Sequence, residues 1–343
     1  MLSLPDFPIK VDTFDTQEWR ILVSIYRGNA SVVYKIEHVE FPLHFAVLKK
    51  YSKIHLADRA LRRRKVAFEN EVECLKLLNY SEYTSPLWFY YETATEFGLI
   101  MEYMNHSTLR MFIYTFEDNF SIINNIVYPL LCGIRNIHAT NIIHRDLKPE
   151  NIFMNNSNVF IGDYGSSFII KNSCKAHGII GTLQYMSPEL LEAYLYCDMD
   201  IEYSTEVDIW SLGIIIYELY FHIKPFNWDT YKKLKISEFH HIKNVLNEEI
   251  VFPHEIHKDA KNFIEQCLQK QPVDRPTIIQ LLNHSWVINY LRDKSDMNEK
   301  CHPTTRTPQK SNLIQNLKPR AMTNMHLLMG AKRRFWKTQC TLS

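Results

Sequence analysis

The first third of the chain alternates between apolar and polar residues in the way that β-strands do. Residues 19–50 contain three β-branched and aromatic runs, WRILVSIYRG, SVVYKIEHV and HFAVLKKY, which are separated by turns. This pattern predicts three antiparallel strands. Residues 58–80 show helical periodicity instead, and two further strand-like runs follow at residues 86–92 and 98–104.

The rest of the chain is mainly helical. A long apolar helix is predicted at residues 121–139, and further helices at 207–221, 231–246, 260–269 and 277–283. Strands followed by helices predict an α+β fold with two lobes. The expected division is an irregular N-terminal extension (1–18), a β-rich N-lobe with one key helix (about 19–101), a larger α-helical C-lobe (about 105–290) and a basic, mostly disordered tail (291–343).

Composition and charge exclude several classes of protein. The 343 residues carry a net charge of +1, so no basic surface for nucleic acid is expected. The tail is different, because it has 11 Lys and Arg against 3 Asp and Glu, a net +8. The seven cysteines show no CxxC spacing, which favours a reducing compartment over a zinc site or disulfides. No leader peptide and no membrane span are expected, and a cytoplasmic or nuclear location is predicted.

The candidate chemistry lies in the run His-Arg-Asp-Leu-Lys-Pro-Glu-Asn, residues 144–151, and in Asp163, which comes twelve residues later. Asp146, Asn151 and Asp163 offer hard oxygen ligands or a proton acceptor, and such ligands suit Mg²⁺. Lys148 adds a point charge that suits a phosphoryl oxygen. A base, metal ligands and a cation together indicate phosphoryl transfer.

With these motifs the sequence resembles the eukaryotic protein kinase family of the serine/threonine type, over residues 19–290. The resemblance implies that Asp146 accepts the proton of the substrate hydroxyl and that Lys148 steadies the transferred group. It also implies that Asn151 and Asp163 hold Mg²⁺, and that ATP donates its γ-phosphate to Ser or Thr of protein substrates. Gly181-Thr182 and Lys148 argue against tyrosine as the acceptor.

The same resemblance assigns two charged residues of the N-lobe. Lys49, in Ala-Val-Leu-Lys on the third strand, would contact the α- and β-phosphates, with Lys50 as a less favoured rival. Glu71 on the first helix would orient that lysine, and Glu73 is the alternative.

The nucleotide pocket is assigned from the same resemblance. Met101, Glu102 and Met104 resemble the segment that joins the lobes, in which Met101 limits access to the back of the pocket and the backbones of Glu102 and Met104 bind adenine. Apolar side chains would sandwich the base. Those positions are Ile25, Val33, Val47 and Phe153.

The glycine-rich loop departs from the family pattern G-x-G-x-x-G, because only Gly28 remains and Tyr26 and Ser31 replace the outer glycines. Glycines let backbone N–H groups approach phosphates, so nucleotide binding is expected to be weakened. A pseudokinase scaffold is therefore the alternative to an active enzyme.

The segment from Asp163 to Glu189 resembles an activation segment. The position that relatives commonly phosphorylate is Gly178, so activity without a phosphate at that position is predicted, with Ser173 as the nearest other acceptor. Asp208 is expected to anchor the catalytic loop, which is the run of residues 144–151. Arg275 is expected to form a buried ion pair with Glu189.

Acidic residues around the expected substrate site favour basic substrates. Asp198, Asp200 and Glu202 lie in a stretch longer than the family usually has, and Glu150 and Glu218 match positions that bind a substrate arginine in basophilic relatives. A preference for Arg or Lys upstream of the target Ser/Thr is predicted, against the alternative of a solvated acidic face.

The C-terminal tail and the subfamily leave further alternatives open. Residues 325–337, MHLLMGAKRRFWK, predict an amphipathic segment for a partner or an unstructured linker, and Thr307-Pro308 fits a proline-directed phosphorylation site. Lys332-Arg333-Arg334 fits a nuclear-targeting patch or a solvated charge run.

The kinase subfamily also stays open. The activation segment is somewhat similar to that of phosphoinositide-dependent kinases, whereas His284-Ser285-Trp286 is closer to the corresponding residues of calmodulin-dependent or Aurora-type kinases.

Overall fold

A computed structural model of the protein describes residues 9–28, 31–79, 81–103, 108–115, 119–155, 158–226, 228 and 238–301. The chain divides into two units, Met1–Ser295 and Asp296–Ser343. The candidate site and the elements described below lie in the first unit, except that the last helix begins there and ends at Cys301. The predicted Thr307-Pro308 site, the segment 325–337 and the Lys332–Arg334 patch lie outside the described residues.

The N-lobe is a six-stranded sheet with one long helix. Its elements are β1 (Ile9–Val11), β2 (Trp19–Arg27), β3 (Val32–His38), β4 (Phe45–Ser52), α1 (Asp58–Leu77), β5 (Leu87–Glu92) and β6 (Glu96–Glu102). The strand order is β1-β5-β6-β4-β3-β2, and every neighbouring pair is antiparallel except β1 and β5. The three strands, the helix and the two further strands predicted from the alternation are therefore confirmed.

The two faces of this sheet are buried in different ways. Helix α1 covers one face, where Phe68 stacks on Phe97 with ring centroids 4.8 Å apart. On the other face, Phe14 and Trp19 pack with buried side chains of the sheet such as Leu48. The expectation that residues 1–18 are irregular is thus wrong in part, because β1 pairs with β5 and Phe14 supplies part of a core.

The C-lobe is built mainly from helices, as the pattern predicts. They are α2 (Leu109–Phe112), α3 (Asn119–Ile122), α4 (Tyr128–Ala139), α5 (Pro188–Tyr196), α6 (Glu206–Phe221), α7 (Glu238–Asn247), α8 (Lys258–Cys267), α9 (Ile278–Leu282) and α10 (Ser285–Cys301), with a π-helical turn at Ile123–Val127. Helix α6 is buried along almost its whole length, because its sequence is apolar on every side.

Three short antiparallel strand pairs shape the connections of the C-lobe. They are formed by β7 (Ile142–Ile143) with β10 (Phe168–Ile169), β8 (Ile152–Asn155) with β9 (Asn158–Ile161), and β11 (Ala176–His177) with β12 (Glu202–Tyr203). These pairs fix the loops that carry Asp146, Asp163 and the segment after it.

Helices α2, α5 and α10 differ from the sequence expectation. Helices α2 and α5 lie outside the predicted helical ranges, and α10 continues to Cys301, past the expected start of a disordered tail at residue 291. No helix among the described residues is long and apolar enough to cross a membrane.

Candidate active site

The catalytic loop is held from below by Asp208 of α6. Its carboxylate accepts hydrogen bonds from the backbone N–H groups of His144 and Arg145, each at 2.9 Å, and from the ring Nε2 of His138 at 2.9 Å. Burial raises the pKa of Asp208, but the hydrogen bond and charge of His138 and the contacts of His144 outweigh burial and bring it below its usual value. The predicted anchor is confirmed.

Asp146 stands at the centre of a compact polar cluster. Its Oδ2 contacts the Nζ of Lys148 at 2.7 Å, and its Oδ1 accepts a hydrogen bond from the Thr182 hydroxyl at 2.7 Å. Lys148 also donates to Thr182 Oγ1 at 2.8 Å. Asn151 donates its amide to the Asp146 carbonyl oxygen at 2.9 Å, which leaves the amide oxygen as the atom that a cation would use.

Lys49 is held between two carboxylates. Its Nζ lies 2.8 Å from Glu71 Oε1 and 2.7 Å from Asp163 Oδ1. The charge of Lys49 lowers the pKa of Asp163 against the opposing effect of burial. Burial lowers the pKa of Lys49, but Glu71, Tyr51 and Asp163 together raise it well above its usual value, so the ammonium stays charged.

The alternatives to this pair have other partners. Lys50 contacts Glu96 at 2.7 Å, and Glu73 contacts Lys171 at 2.8 Å near the surface. The geometry therefore pairs Lys49 with Glu71.

Sequence reasoning missed Tyr51, whose hydroxyl donates to the second oxygen of Glu71. Tyr51 is buried, and it follows Lys49 by two residues on β4, so both side chains point to the same face of the sheet. The two-residue spacing from Lys49 on a predicted strand was the sequence signal that could have identified Tyr51 as a neighbour of Lys49. Burial raises the pKa of Tyr51 well above its usual value, which keeps the phenol a donor.

The aromatic residue after Asp163 is fully buried and its hydroxyl is satisfied. Tyr164 OH donates to the Ile161 carbonyl at 3.1 Å and lies 3.0 Å from Thr84 Oγ1. Asp163 itself has a left-handed backbone, with φ of 62°. Strain of this kind is common where a site must aim a side chain.

The residues expected to line the nucleotide pocket fall on neighbouring strands. Val47 pairs with Met101, and Val33 pairs with Lys49. Phe153 packs against Gly162, where a Cβ atom would come within 2.8 Å of its ring. Ile25 is 48% exposed on β2.

The backbone of Glu102 is partly engaged. Its N–H donates to the Pro86 carbonyl at 3.0 Å, so only its carbonyl, which already accepts from Ser85 Oγ at 3.0 Å, has a lone pair left for adenine. Met104 lies outside the described residues, as do residues 29 and 30 of the loop that follows Gly28.

The activation segment is tied to Arg145 by neutral groups. The guanidinium donates to the carbonyl oxygens of Ser166 and Ser167 at 2.6 and 3.0 Å. It also donates to the Tyr203 hydroxyl at 3.3 Å, and that hydroxyl donates to the Gly178 carbonyl at 2.9 Å. Tyr203 comes from β12, which pairs with β11 of the activation segment.

The buried ion pair that links the activation segment to the C-lobe is confirmed. Arg275 makes two hydrogen bonds to Glu189, at 2.8 and 2.7 Å, and also donates to the carbonyl oxygens of Gln269, Lys270 and Glu206. Its side chain is fully shielded from solvent.

The two carboxylates expected to bind a substrate arginine already have a partner within the chain. Arg110 of α2 contacts Glu150 at 2.8 Å and Glu218 at 2.6 Å. A substrate cation at this place would have to displace Arg110.

The donor set fits a magnesium ion. Asp163 offers an ionised carboxylate and Asn151 an amide oxygen, and Mg²⁺ needs few protein ligands because it keeps waters and binds phosphate oxygens. Among the residues that the structure describes, no group of three or more His, Cys, Asp or Glu side chains could hold a metal.

Comparison with known proteins gives the same picture. A model of the protein kinase domain matches residues 19–287. The Aurora kinase of Eremothecium gossypii is 28% identical over 284 residues, which is 81% of this chain and 71% of that protein. The Aurora kinase of Debaryomyces hansenii is 29% identical over 77% of this chain and 60% of its own length.

A further relative has the same type of name. The probable serine/threonine-protein kinase iksA of Dictyostelium discoideum is 29% identical over 67% of this chain, but the match spans only 27% of that protein. The two Aurora kinases confirm the similarity to Aurora-type kinases that was expected from residues 284–286. Since the domain model covers most of the chain and the motifs form one site, the chain belongs to the protein kinase family, as an enzyme of the serine/threonine type.

Proposed function

We propose that this kinase uses Mg²⁺ and transfers the γ-phosphoryl group of ATP to serine or threonine hydroxyls of proteins. The observation that carries the proposal is the cluster around Asp146, in which the carboxylate already accepts a hydrogen bond from the Thr182 hydroxyl at 2.7 Å. A substrate hydroxyl would make the same kind of contact and lose its proton to Asp146.

The other residues divide the remaining work. Lys148, 2.7 Å from Asp146, would neutralise charge on the group in transfer, and Lys49 would contact the nucleotide phosphates. Mg²⁺ held by Asp163 and Asn151 would neutralise charge on the phosphate oxygens. Glu71 and Tyr51 would keep Lys49 in position.

The alternative is a pseudokinase scaffold in which the altered glycine loop no longer holds ATP. The intact Lys49–Glu71 pair and the contact of Lys49 with Asp163 favour an active enzyme, since these residues would serve nucleotide and metal binding. Only the replacements Tyr26 and Ser31 favour the scaffold.

The test is phosphotransfer from Mg²⁺·ATP by the purified full chain onto a mixed set of Ser/Thr peptides, with Asp146→Asn as the paired variant. We expect activity that falls about 100-fold or more in the variant. Absence of transfer together with no thermal stabilisation by ATP would reject the proposal in favour of a scaffold.

We also propose that activity needs no phosphate on the activation segment. The support is that Arg145, the group a phosphate would neutralise, already donates to two carbonyl oxygens and to the Tyr203 hydroxyl. Tyr203 in turn donates to the backbone of Gly178, the position at which relatives commonly carry the phosphate acceptor.

Phosphatase-treated enzyme and the variant Ser173→Ala should therefore keep the activity of the untreated enzyme. Tyr203→Phe should lower it, because removing the hydroxyl takes away the bridge from Arg145 to the Gly178 carbonyl and leaves Arg145 only its hydrogen bonds to backbone carbonyl oxygens. The proposal would be rejected if phosphatase treatment abolished activity and phosphorylation of Ser173 restored it.

The remaining expectations concern partners and location. Asp198, Asp200 and Glu202 are all exposed, and they support a general preference for basic substrates, to be tested on a peptide array with their neutral variants. A partner for the basic tail is proposed from the +8 charge of residues 291–343, and a cytoplasmic or nuclear location from the cysteine spacing and the Lys332-Arg333-Arg334 patch. Imaging of the tagged full chain beside a chain with neutralised Lys332, Arg333 and Arg334 would test the location.

A further inference from the structure

Arg110 is enclosed by two carboxylates that belong to distant parts of the chain. Its Nε donates to Glu150 Oε1 at 2.8 Å and its Nη1 to Glu218 Oε1 at 2.6 Å. Its Nη2 donates to the Tyr185 hydroxyl and lies 3.4 Å from Glu218 Oε2. The Glu218 side chain is only 2% exposed, whereas that of Glu150 is 47% exposed, so the pocket is buried at the Glu218 end and open to solvent at the Glu150 end.

The pocket adjoins the place where an acceptor hydroxyl must lie. Glu150 follows Asp146 by four residues in the same loop, and Tyr185 follows Thr182 by three. Thr182 donates to Asp146 Oδ1. A peptide that brings a hydroxyl to Asp146 therefore passes beside Glu150 and Glu218, and two free carboxylates there would bind a cationic side chain.

Among the residues that the structure describes, two cations face the two carboxylates of this pocket. Lys224 Nζ lies 3.1 Å from Glu218 Oε1, beside the contacts of Arg110 with Glu150 and Glu218. Burial raises the pKa of Glu218, but hydrogen bonds from Arg110 and Tyr185 outweigh burial and bring it below its usual value. The ionised carboxylate is thus engaged by groups of the same chain, and another guanidinium would meet like charge.

We propose that Arg110 is a specificity-determining residue: it fills the cation subsite formed by Glu150 and Glu218, so the kinase does not select Arg or Lys at the substrate position that faces this pocket. The inference rests on the proposed protein kinase activity. A preference for basic substrates would then come from the exposed residues Asp198, Asp200 and Glu202 and not from this pocket.

The test compares peptides in which each position flanking a central serine is, one at a time, Arg or Ala. The quantity measured is the ratio of kcat/KM for the Arg peptide to that for the Ala peptide. In Arg110→Gln this ratio should rise about 10- to 100-fold at one position, because the freed carboxylates gain a charged partner. Adding Glu218→Gln to Arg110→Gln should remove the gain.

Matched variants separate this effect from a general change of charge. Arg20→Gln removes an arginine that is paired with Glu37 on β2 and β3, so its Arg/Ala ratios should equal those of the wild type. Arg110→Lys keeps the charge in the pocket and should also keep the wild-type ratios. If the thermal melt shows that Arg110→Gln does not fold, the Arg/Ala ratios of the wild type, Arg110→Lys and Glu150→Gln are compared instead. All three should be equal.

Two results would overturn the inference. One is an unchanged Arg/Ala ratio at every position in Arg110→Gln, and the other is a wild-type preference for Arg that Glu150→Gln abolishes. Binding of the same peptides, labelled and followed by fluorescence anisotropy, distinguishes this failure from failure of the proposed function. If no peptide is phosphorylated, tighter binding of the Arg peptide by Arg110→Gln alone still supports the inference, and equal affinities reject it.

Discussion

Single buried charges hold this site in place, and Asp208 is the clearest example. The carboxylate joins α6 to the catalytic loop through two backbone N–H groups and to α4 through His138. Asp208→Asn keeps the shape but loses the charge and offers an N–H where acceptors are required. We expect the variant to be less stable by about 3–5 kcal/mol at pH 7, because it breaks a buried charged network.

The effect of Asp208 should depend on pH in a defined direction. The pKa of this carboxyl is lower in the folded chain than its usual value, so its contribution is fully present above about pH 4 and is lost as the pH falls further. Urea unfolding of the wild type and Asp208→Asn, at pH 7 and at lower pH, gives the free energy of unfolding of each. The two free energies should converge below about pH 4. A difference that is independent of pH would contradict the assignment.

At the scale of elements, ion pairs matter where they join elements in the interior. Arg275 connects the start of α5 to the turn before α9, and its fully buried side chain contacts Glu189, which is 14% exposed. Arg275→Ala leaves that carboxylate without its cation, so we expect a loss of about 3–5 kcal/mol and a lower soluble yield. Thermal melts measure the loss.

A second ion pair provides the control for Arg275. Lys171 and Glu73 join the activation segment to α1 at the same kind of distance, 2.8 Å, but their side chains are 63% and 48% exposed. Lys171→Ala should therefore change stability by about 1 kcal/mol or less. Equal melting temperatures for Arg275→Ala and the wild type would rule out the structural role of the buried pair.

At the scale of the whole molecule, the sequence predicts the elements with a periodic apolar pattern and the residues that lie in a motif. It does not predict very short strands or contacts between residues that are far apart in the sequence. The N-lobe strands and α6 follow from apolar patterns, and the residues of the catalytic loop follow from one contiguous run. Arg110 carried no such signal, because its partners lie 40 and 108 residues away in the sequence. The strands β1 and β12, of three and two residues, are too short to show a period.

The proposed activity of the whole chain requires ATP binding despite the altered glycine loop, and Tyr26 is placed to affect that binding. A Cβ atom on Gly28 would lie 2.7 Å from the Tyr26 hydroxyl and 2.9 Å from its ring, so this side chain lies over the one remaining loop glycine. Phosphate oxygens reach backbone N–H groups best where no side chain intervenes. We therefore expect Tyr26→Ala to bind ATP more tightly than the wild type.

The measurement for Tyr26 is the rise in melting temperature on titration with Mg²⁺·ATP, because a ligand that binds only the folded state stabilises it by RT ln(1 + [L]/Kd). At a concentration of one hundred times Kd this amounts to about 2.7 kcal/mol. The titration of Tyr26→Ala should saturate at lower ATP than that of the wild type. Ile21→Ala, on the same strand and 43% exposed, should follow the wild-type curve. Weaker binding by Tyr26→Ala would instead mean that the tyrosine ring itself contributes to holding the nucleotide.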